Sequence, residues 1–185
     1  MSKSLFLLAA LSLSTLTAAL AEPAQVLLVR HAERAAEPVG DPALSPAGQL
    51  RARALAAALA HAGVTAIITT EFKRSAETAA PSAQALGLAP EVIAARGSDT
   101  VAHIAAVAAA VRRHNGVVLV VGHSNTVPAI AAALGAPRLQ DFCESSFNHL
   151  WVLRPQAQEE SAQLLRLRYG AADEVPGAGA TANCQ

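Results

Sequence analysis

Three segments carry side chains that could do chemistry: Arg30-His31-Ala32-Glu33-Arg34, Arg74-Ser75-Ala76-Glu77-Thr78 and Gly122-His123-Ser124-Asn125-Thr126. Together they offer three guanidiniums (Arg30, Arg34, Arg74) and two imidazoles (His31, His123). Like charges held together repel unless an anion lies between them. A guanidinium's planar fork donates two parallel hydrogen bonds to carboxylate or phosphate oxygens, so a phosphoryl group fits such a cradle. His31 is the candidate nucleophile. A neutral ring nitrogen displaces an alkoxide from phosphorus, giving a phosphohistidine that water then cleaves. Nearby guanidiniums disfavour the imidazolium and keep that nitrogen nucleophilic near neutral pH. Its other ring nitrogen needs an acceptor to fix the tautomer, and a backbone carbonyl is the expected partner. His123 is expected against the phosphoryl oxygens, stabilising their charge in the transition state. Since the guanidiniums and His123 supply positive charge, no metal or cofactor is implied. Ser124 is a rival nucleophile, but Thr126 stands where a G-x-S-x-G turn has its second glycine.

For these segments to meet, the chain must bring them to one rim. Gln25 to Arg30 is a short apolar run ending in charge, read as a buried strand. Ser45-Pro46 supplies a cap and a first-turn proline for a helix over 46–61, with Leu50, Ala54, Leu55, Ala58 and Leu59 on one face. Gly63 stops it, and 64–70 is the second strand. A helix over 73–86 should kink or restart at Pro81. A weak third strand over 91–94 precedes a helix over 100–114, with Val101, Ile104, Ala108 and Val111 spaced for one face. Arg112, Arg113 and His114 fall at the negative end of its dipole. Val117 to Val121 is the most apolar strand, expected central and parallel. A short helix over 126–134 follows, then two closing strands over 148–154 and 164–169, separated by a polar turn around 156–160. Strand–helix alternation of this kind implies an α/β fold with a mostly parallel sheet. In such a sheet the site lies off the carboxyl ends of the strands, where all three segments emerge.

In these motifs the sequence resembles the histidine phosphatase superfamily, also called phosphoglycerate-mutase-like. The family's Arg-His-Gly/Ala-Glu is matched by Arg30-His31-Ala32-Glu33, and its Leu-Ser/Thr-x-x-Gly by Leu44-Ser45-Pro46-Ala47-Gly48. Its Arg-Ser/Ala-x-x-Thr-Ala is matched by Arg74-Ser75-Ala76-Glu77-Thr78-Ala79, and its Gly-His-Ser by Gly122-His123-Ser124. The resemblance covers about 26–153, and four ordered motifs make the match specific. The resemblance implies a three-layer sandwich, a mostly parallel central sheet flanked by helices. It implies catalysis by His31, His123, Arg30 and Arg74, with Arg30, Arg34, Arg74 and His123 as the phosphate pocket. Larger members carry an acidic proton donor shortly after the third strand. Asp99 is the candidate general acid there, with Glu91 second because it begins the strand. The competing assignment for Asp99 is a helix N-cap, and the sequence around it favours that. The other major branch has Asp directly after its second His, where this chain has Ser124. There is no room for a substrate-covering cap, so the chain resembles the compact phosphohistidine phosphatases, and a mutase is disfavoured.

Composition sets the remaining bounds. The chain has 185 residues, is 52% hydrophobic, and balances 14 basic against 14 acidic side chains. That gives no basic footprint for nucleic acid. Residues 1–21 have one early charge (Lys3), an apolar run and an Ala19-Leu20-Ala21 ending, which reads as a cleaved secretory signal peptide. A membrane anchor is the competing reading, but the run is shorter than the roughly 20 apolar residues of a span. The expected organisation is therefore a signal peptide (1–21), a phosphatase domain (22–169) and a Gly/Ala-rich tail (170–185). The mature protein would be periplasmic or secreted, without stable membrane insertion after cleavage. Its partner would be a small-molecule or envelope phosphate. Cys143 and Cys184 would meet an oxidising compartment, as a disulfide or as two free thiols. The expected function is an exported phosphatase acting on phosphoesters or phosphoramidates through phosphohistidine on His31. The alternative is a catalytically weak phosphate- or polyanion-binding protein of the same fold.

Overall fold

The computed structural model describes residues 23–97, 99–155 and 162–173. Ten elements follow one another: β1 (Gln25–Arg30), α1 (Pro46–Leu59), β2 (Val64–Thr69), α2 (Lys73–Leu86), β3 (Glu91–Val92), α3 (Thr100–Val111), β4 (Val117–Gly122), α4 (Thr126–Ala133), β5 (His149–Arg154) and β6 (Gln163–Arg168). The strands form one sheet in the order β3-β2-β4-β1-β5-β6. The first four strands of that order are parallel, whereas β5 is antiparallel to β1 and β6 to β5.

Successive strand residues face opposite sides of a sheet, so strands that are apolar throughout need cover on both faces. Leu27, Val29, Ile67, Leu119 and Val121 pack under α1 and α2, against Leu55, Leu59, Ala79 and Ala83. Val26, Leu28, Ile68, Val118 and Val120 pack on the other side, under α3 and α4, against Val107, Val111 and Ile130. The result is a three-layer sandwich with β4 at the centre of its parallel part.

Several elements depart from the sequence expectation. Pro81 lies inside α2 without ending it. Buried Thr78 and Ala79 before it and Ser82 and Ala83 after it hold both halves on the same packing surface, which outweighs one lost backbone hydrogen bond. α3 stops at Val111 rather than 114 because the next three side chains are drawn elsewhere. Arg112 donates to the Ala133 carbonyl at 2.7 Å, while Arg113 and His114 both turn to Glu91. β3 has only two residues, since Glu71 takes the Ala95 and Arg96 amides and pulls the chain off the sheet. α1 buries Gly48, Arg51, Ala52, Leu55 and Leu59, so Leu50 is left 62% exposed. Val101 in α3 is likewise 71% exposed. Both helices are rich in alanine, so the burial stripe is set by which small residues approach the sheet rather than by the largest side chains.

Among the described residues no helix is long and apolar enough to cross a membrane. The expected signal peptide, the 156–160 turn, most of the tail and Cys184 lie outside the described residues. Cys143 is disulfide-bonded.

Candidate active site

The pairing of β1 with β4 brings the two histidines side by side. Arg30 is in register with Gly122, and the His31 amide donates to the Gly122 carbonyl at 2.9 Å. The next residue on each strand is a histidine, and their rings meet edge to face with centroids 5.3 Å apart. Gly122 has to be a glycine here, because a Cβ would sit 2.9 Å from Val127 Cγ2.

The loop after β1 is clamped from two sides. Ser45 caps α1 by accepting the Gly48 amide at 3.1 Å, with Pro46 in the first turn. This first turn lies so close to the loop that a Cβ on Gly48 would be 2.1 Å from the Glu33 carbonyl oxygen. From the other side, buried Thr78 accepts the Ala32 amide at 2.9 Å and donates to the Arg74 carbonyl at 2.6 Å. Glu33 itself is tied to buried Arg51 through Nε at 2.8 Å and Nη2 at 2.7 Å. Glu77 accepts the Leu44 amide at 2.7 Å. The acidic and hydroxyl residues of the motifs thus hold the loop rather than act on substrate.

His31 is 4% exposed. Its Nδ1 donates to the Ala32 carbonyl at 2.8 Å, since a carbonyl can only accept. That fixes the proton on Nδ1 and leaves the Nε2 lone pair available. Burial, reinforced by His123, Arg30 and Arg74, pushes the ring down to about 3 despite that hydrogen bond. His123 is pushed down to about 4, first by burial and then by Arg74. Its Nε2 lies 3.3 Å from the Thr70 hydroxyl, which in turn lies 2.9 Å from the Ser75 hydroxyl.

The guanidiniums are positioned by the aromatic residues and by carbonyls. Arg30, 2% exposed, has its Nη1 on the carbonyls of Cys143 (2.7 Å), Glu144 (2.9 Å) and Ser146 (3.0 Å). It lies 4.2 Å from the Phe147 ring centroid. Its Nη2 meets Glu144 Oε2 at 2.8 Å, and its Nε is buried with no partner among the described residues. Arg74, from the first turn of α2, stacks 4.1 Å over Phe72 and lies 3.9 Å from Asp41. Burial and then repulsion from Arg34 hold Arg74 below the usual guanidinium range. Burial is also the main cause for Arg30, with Glu144 opposing it. The site is short of negative charge, which an oxyanion would supply.

Arg30, His31, Arg34, Arg74 and His123 line one cavity of about 480 Å³, together with Ser124 and Glu144. The structure therefore brings together every expected site residue except the two candidate acids, Asp99 and Glu91. Asp99 Oδ1 accepts the Val101 amide at 3.0 Å as the N-cap of α3 and does not line the cavity. Glu91 is bound to Arg113 and His114. Ser124 Oγ donates to Glu144 Oε1 at 2.6 Å rather than to an imidazole base. A larger groove of about 600 Å³ lies beside Leu50 and Arg51, but its Arg51 is paired with Glu33 and Asp173, and no histidine stands beside its Ser45 and Ser145 to act as a base. Sequence reasoning missed Glu144, Phe72 and Phe147, which carry no spacing signal because they sit in irregular loops.

Residues 26–97 match the model of the histidine phosphatase superfamily, branch 1. The chain has the histidine phosphatase fold. Among solved structures, the protein histidine phosphatase SixA complexed with tungstate is similar, with a TM-score of 0.61 and 17% identity over 78% of this chain and 96% of that one. A SixA-type phosphohistidine phosphatase from Nakamurella multipartitia has a TM-score of 0.56 and 24% identity over 80% of this chain and 96% of that one. The mycobacterial glucosyl-3-phosphoglycerate phosphatase complexed with VO3 has a TM-score of 0.58 and 17% identity, covering 79% and 99%. These likenesses span nearly the whole length of each compact phosphatase. No curated protein matches the chain in sequence.

Proposed function

We propose that this chain is an exported phosphatase that hydrolyses phosphoesters or phosphoramidates through a covalent phosphohistidine on His31. The observation that carries the reading is the state of that ring. Its Nδ1 proton is committed to the Ala32 carbonyl, and burial keeps Nε2 unprotonated inside a cavity with Arg30, Arg34 and Arg74. A nucleophile needs a free lone pair at working pH, and a phosphoryl group needs fixed positive charge around it. Both are supplied here by the chain's own residues.

In the first step His31 Nε2 forms a bond to phosphorus as the ester oxygen leaves. Charge on the phosphoryl oxygens is met by Arg30, Arg34, Arg74 and His123. In the second step water attacks the phosphohistidine and releases inorganic phosphate. Tungstate and VO3 in the two relatives named above are oxyanions, which supports an oxyanion pocket here. The apolar character of residues 5–20 and the Ala-Leu-Ala that follows support export, and with it an envelope or scavenged phosphate as substrate.

The test is phosphate release by the mature protein from a panel of alkyl phosphates, aryl phosphates and phosphoramidates, with His31→Ala beside it. Turnover by wild type in the presence of a chelator, lost in His31→Ala, is the expected result. Phosphate binding without turnover on any member would favour the weakly catalytic, anion-binding alternative.

A further inference from the structure

We propose that Glu144 is the proton-transfer carboxylate of this site, an assignment that rests on the phosphatase reading above. Asp99 and Glu91, the acids expected after the third strand, are occupied with a helix cap and with Arg113 and His114. Among the residues lining the His31 cavity, Glu144 is the one carboxylate.

Its attachment suits the role. The backbone at 143–146 is pinned, because three of its carbonyls accept from Arg30 Nη1. The Glu144 side chain is 79% exposed, so it can swing on a fixed base. Before substrate binds, its Oε2 lies 2.8 Å from Arg30 Nη2 and its Oε1 2.6 Å from Ser124 Oγ. A phosphoryl group that engages Arg30 competes for the same Nη2 and displaces the carboxylate, yet leaves it at the rim. Against the upward push of burial, the Ser124 hydroxyl and Arg30 hold the free carboxyl below the usual range. Exchange of Arg30 for a neighbouring phosphate anion reverses that influence and favours the protonated acid.

The steps balance. As the His31 Nε2–P bond forms, the P–O bond breaks and its electron pair stays on the leaving oxygen, which takes the Glu144 proton. Water then attacks the phosphohistidine, gives its proton to the Glu144 carboxylate and its hydroxyl to phosphorus, and the N–P electron pair returns to His31. Each turnover thus returns to Glu144 the proton that it gave to the leaving group.

The experiment compares kcat/KM of wild type and Glu144→Gln on an alkyl phosphate and on 4-nitrophenyl phosphate. This ratio reports leaving-group departure, and a nitrophenolate departs without a proton. Glu144→Gln should lose about a hundredfold or more on the alkyl ester, the scale of general acid catalysis, and only a few-fold on the aryl ester. Equal losses on both esters, no loss, or a gain on both would overturn the proposal, since removing a salt-bridge partner or a competitor of phosphate affects every ester alike. If wild type turns over neither ester and forms no phosphoenzyme, the phosphatase reading itself fails.

Discussion

His31→Asn removes a titrating ring while keeping a side-chain N–H that can reach the Ala32 carbonyl, now met by Nδ1 at 2.8 Å. In the folded protein the ring is pushed down to about 3 from 6.5, mainly by burial. A depressed value means that the unfolded chain binds the proton more readily. The stabilisation is therefore complete above pH 6.5 and is lost as pH falls toward 3. At pH 5 the unfolded ring is almost fully protonated and the folded ring almost fully neutral. The interval from 6.5 to 5 is 1.5 units, at about 1.4 kcal/mol each, or about 2 kcal/mol. Because His31 is 4% exposed, no large solvent discount applies. His123 and His149, each pushed down to about 4 by burial, add acid sensitivity to both proteins and cancel in the comparison. Urea unfolding at pH 8 and pH 5 should show wild type losing about 2 kcal/mol more than His31→Asn across that interval. Parallel losses would refute the claim that this ring is held neutral by its surroundings. The same depression predicts that kcat/KM on an aryl phosphate shows no acid limb near pH 6.5.

Arg74→Ala should lower kcat/KM by about a hundredfold or more, because a fixed donor to the charged phosphoryl oxygens is removed; steady-state kinetics with an aryl phosphate would check it, and a change under tenfold would count against Arg74 as a phosphate ligand. Asp99→Asn should change turnover little and stability by less than about 1 kcal/mol, since Asn caps a helix as well as Asp; a large loss confined to alkyl esters would make Asp99 the acid instead. Thr78→Val should cost about 1–3 kcal/mol in urea unfolding, because the Ala32 amide is left buried without its acceptor. That variant should also slow turnover, as the loop carrying His31 loses one of its two clamps.

The parts of this site that lie at strand ends were legible in the sequence, and the parts in loops were not. Parallel β1, β2 and β4 must release their following residues on one rim, so the segments carrying Arg30, His31, Arg74 and His123 could be gathered from the strand–helix order. The backbone carbonyl expected on His31 is there, supplied by the adjacent Ala32. Glu144 follows Cys143 in a stretch without regular structure, and its approach to Arg30 depends on the path from α4 to β5, which no pattern encodes. Leu50 and Val101 were misplaced for a different reason. In helices built largely of alanine, apolar spacing marks several faces equally, and the buried one is chosen by close approach of small residues such as Gly48 and Ala52. Arg51 shows the converse. A buried arginine looks like a surface residue in sequence until Glu33, Asp173 and the Tyr169 and Ala171 carbonyls are brought to it by the fold.

Trapping the covalent intermediate shows directly which atom carries the phosphoryl group. The purified protein would be mixed with a labelled phosphoester and quenched within one turnover, in alkali and, separately, in acid. Phosphate on a histidine nitrogen survives alkali and is lost in acid, whereas phosphate on a serine oxygen survives acid. An alkali-stable, acid-labile label on the peptide containing His31, absent from His31→Ala, is the expected result. An acid-stable label on the peptide containing Ser124, or a label that persists in His31→Ala, would contradict it.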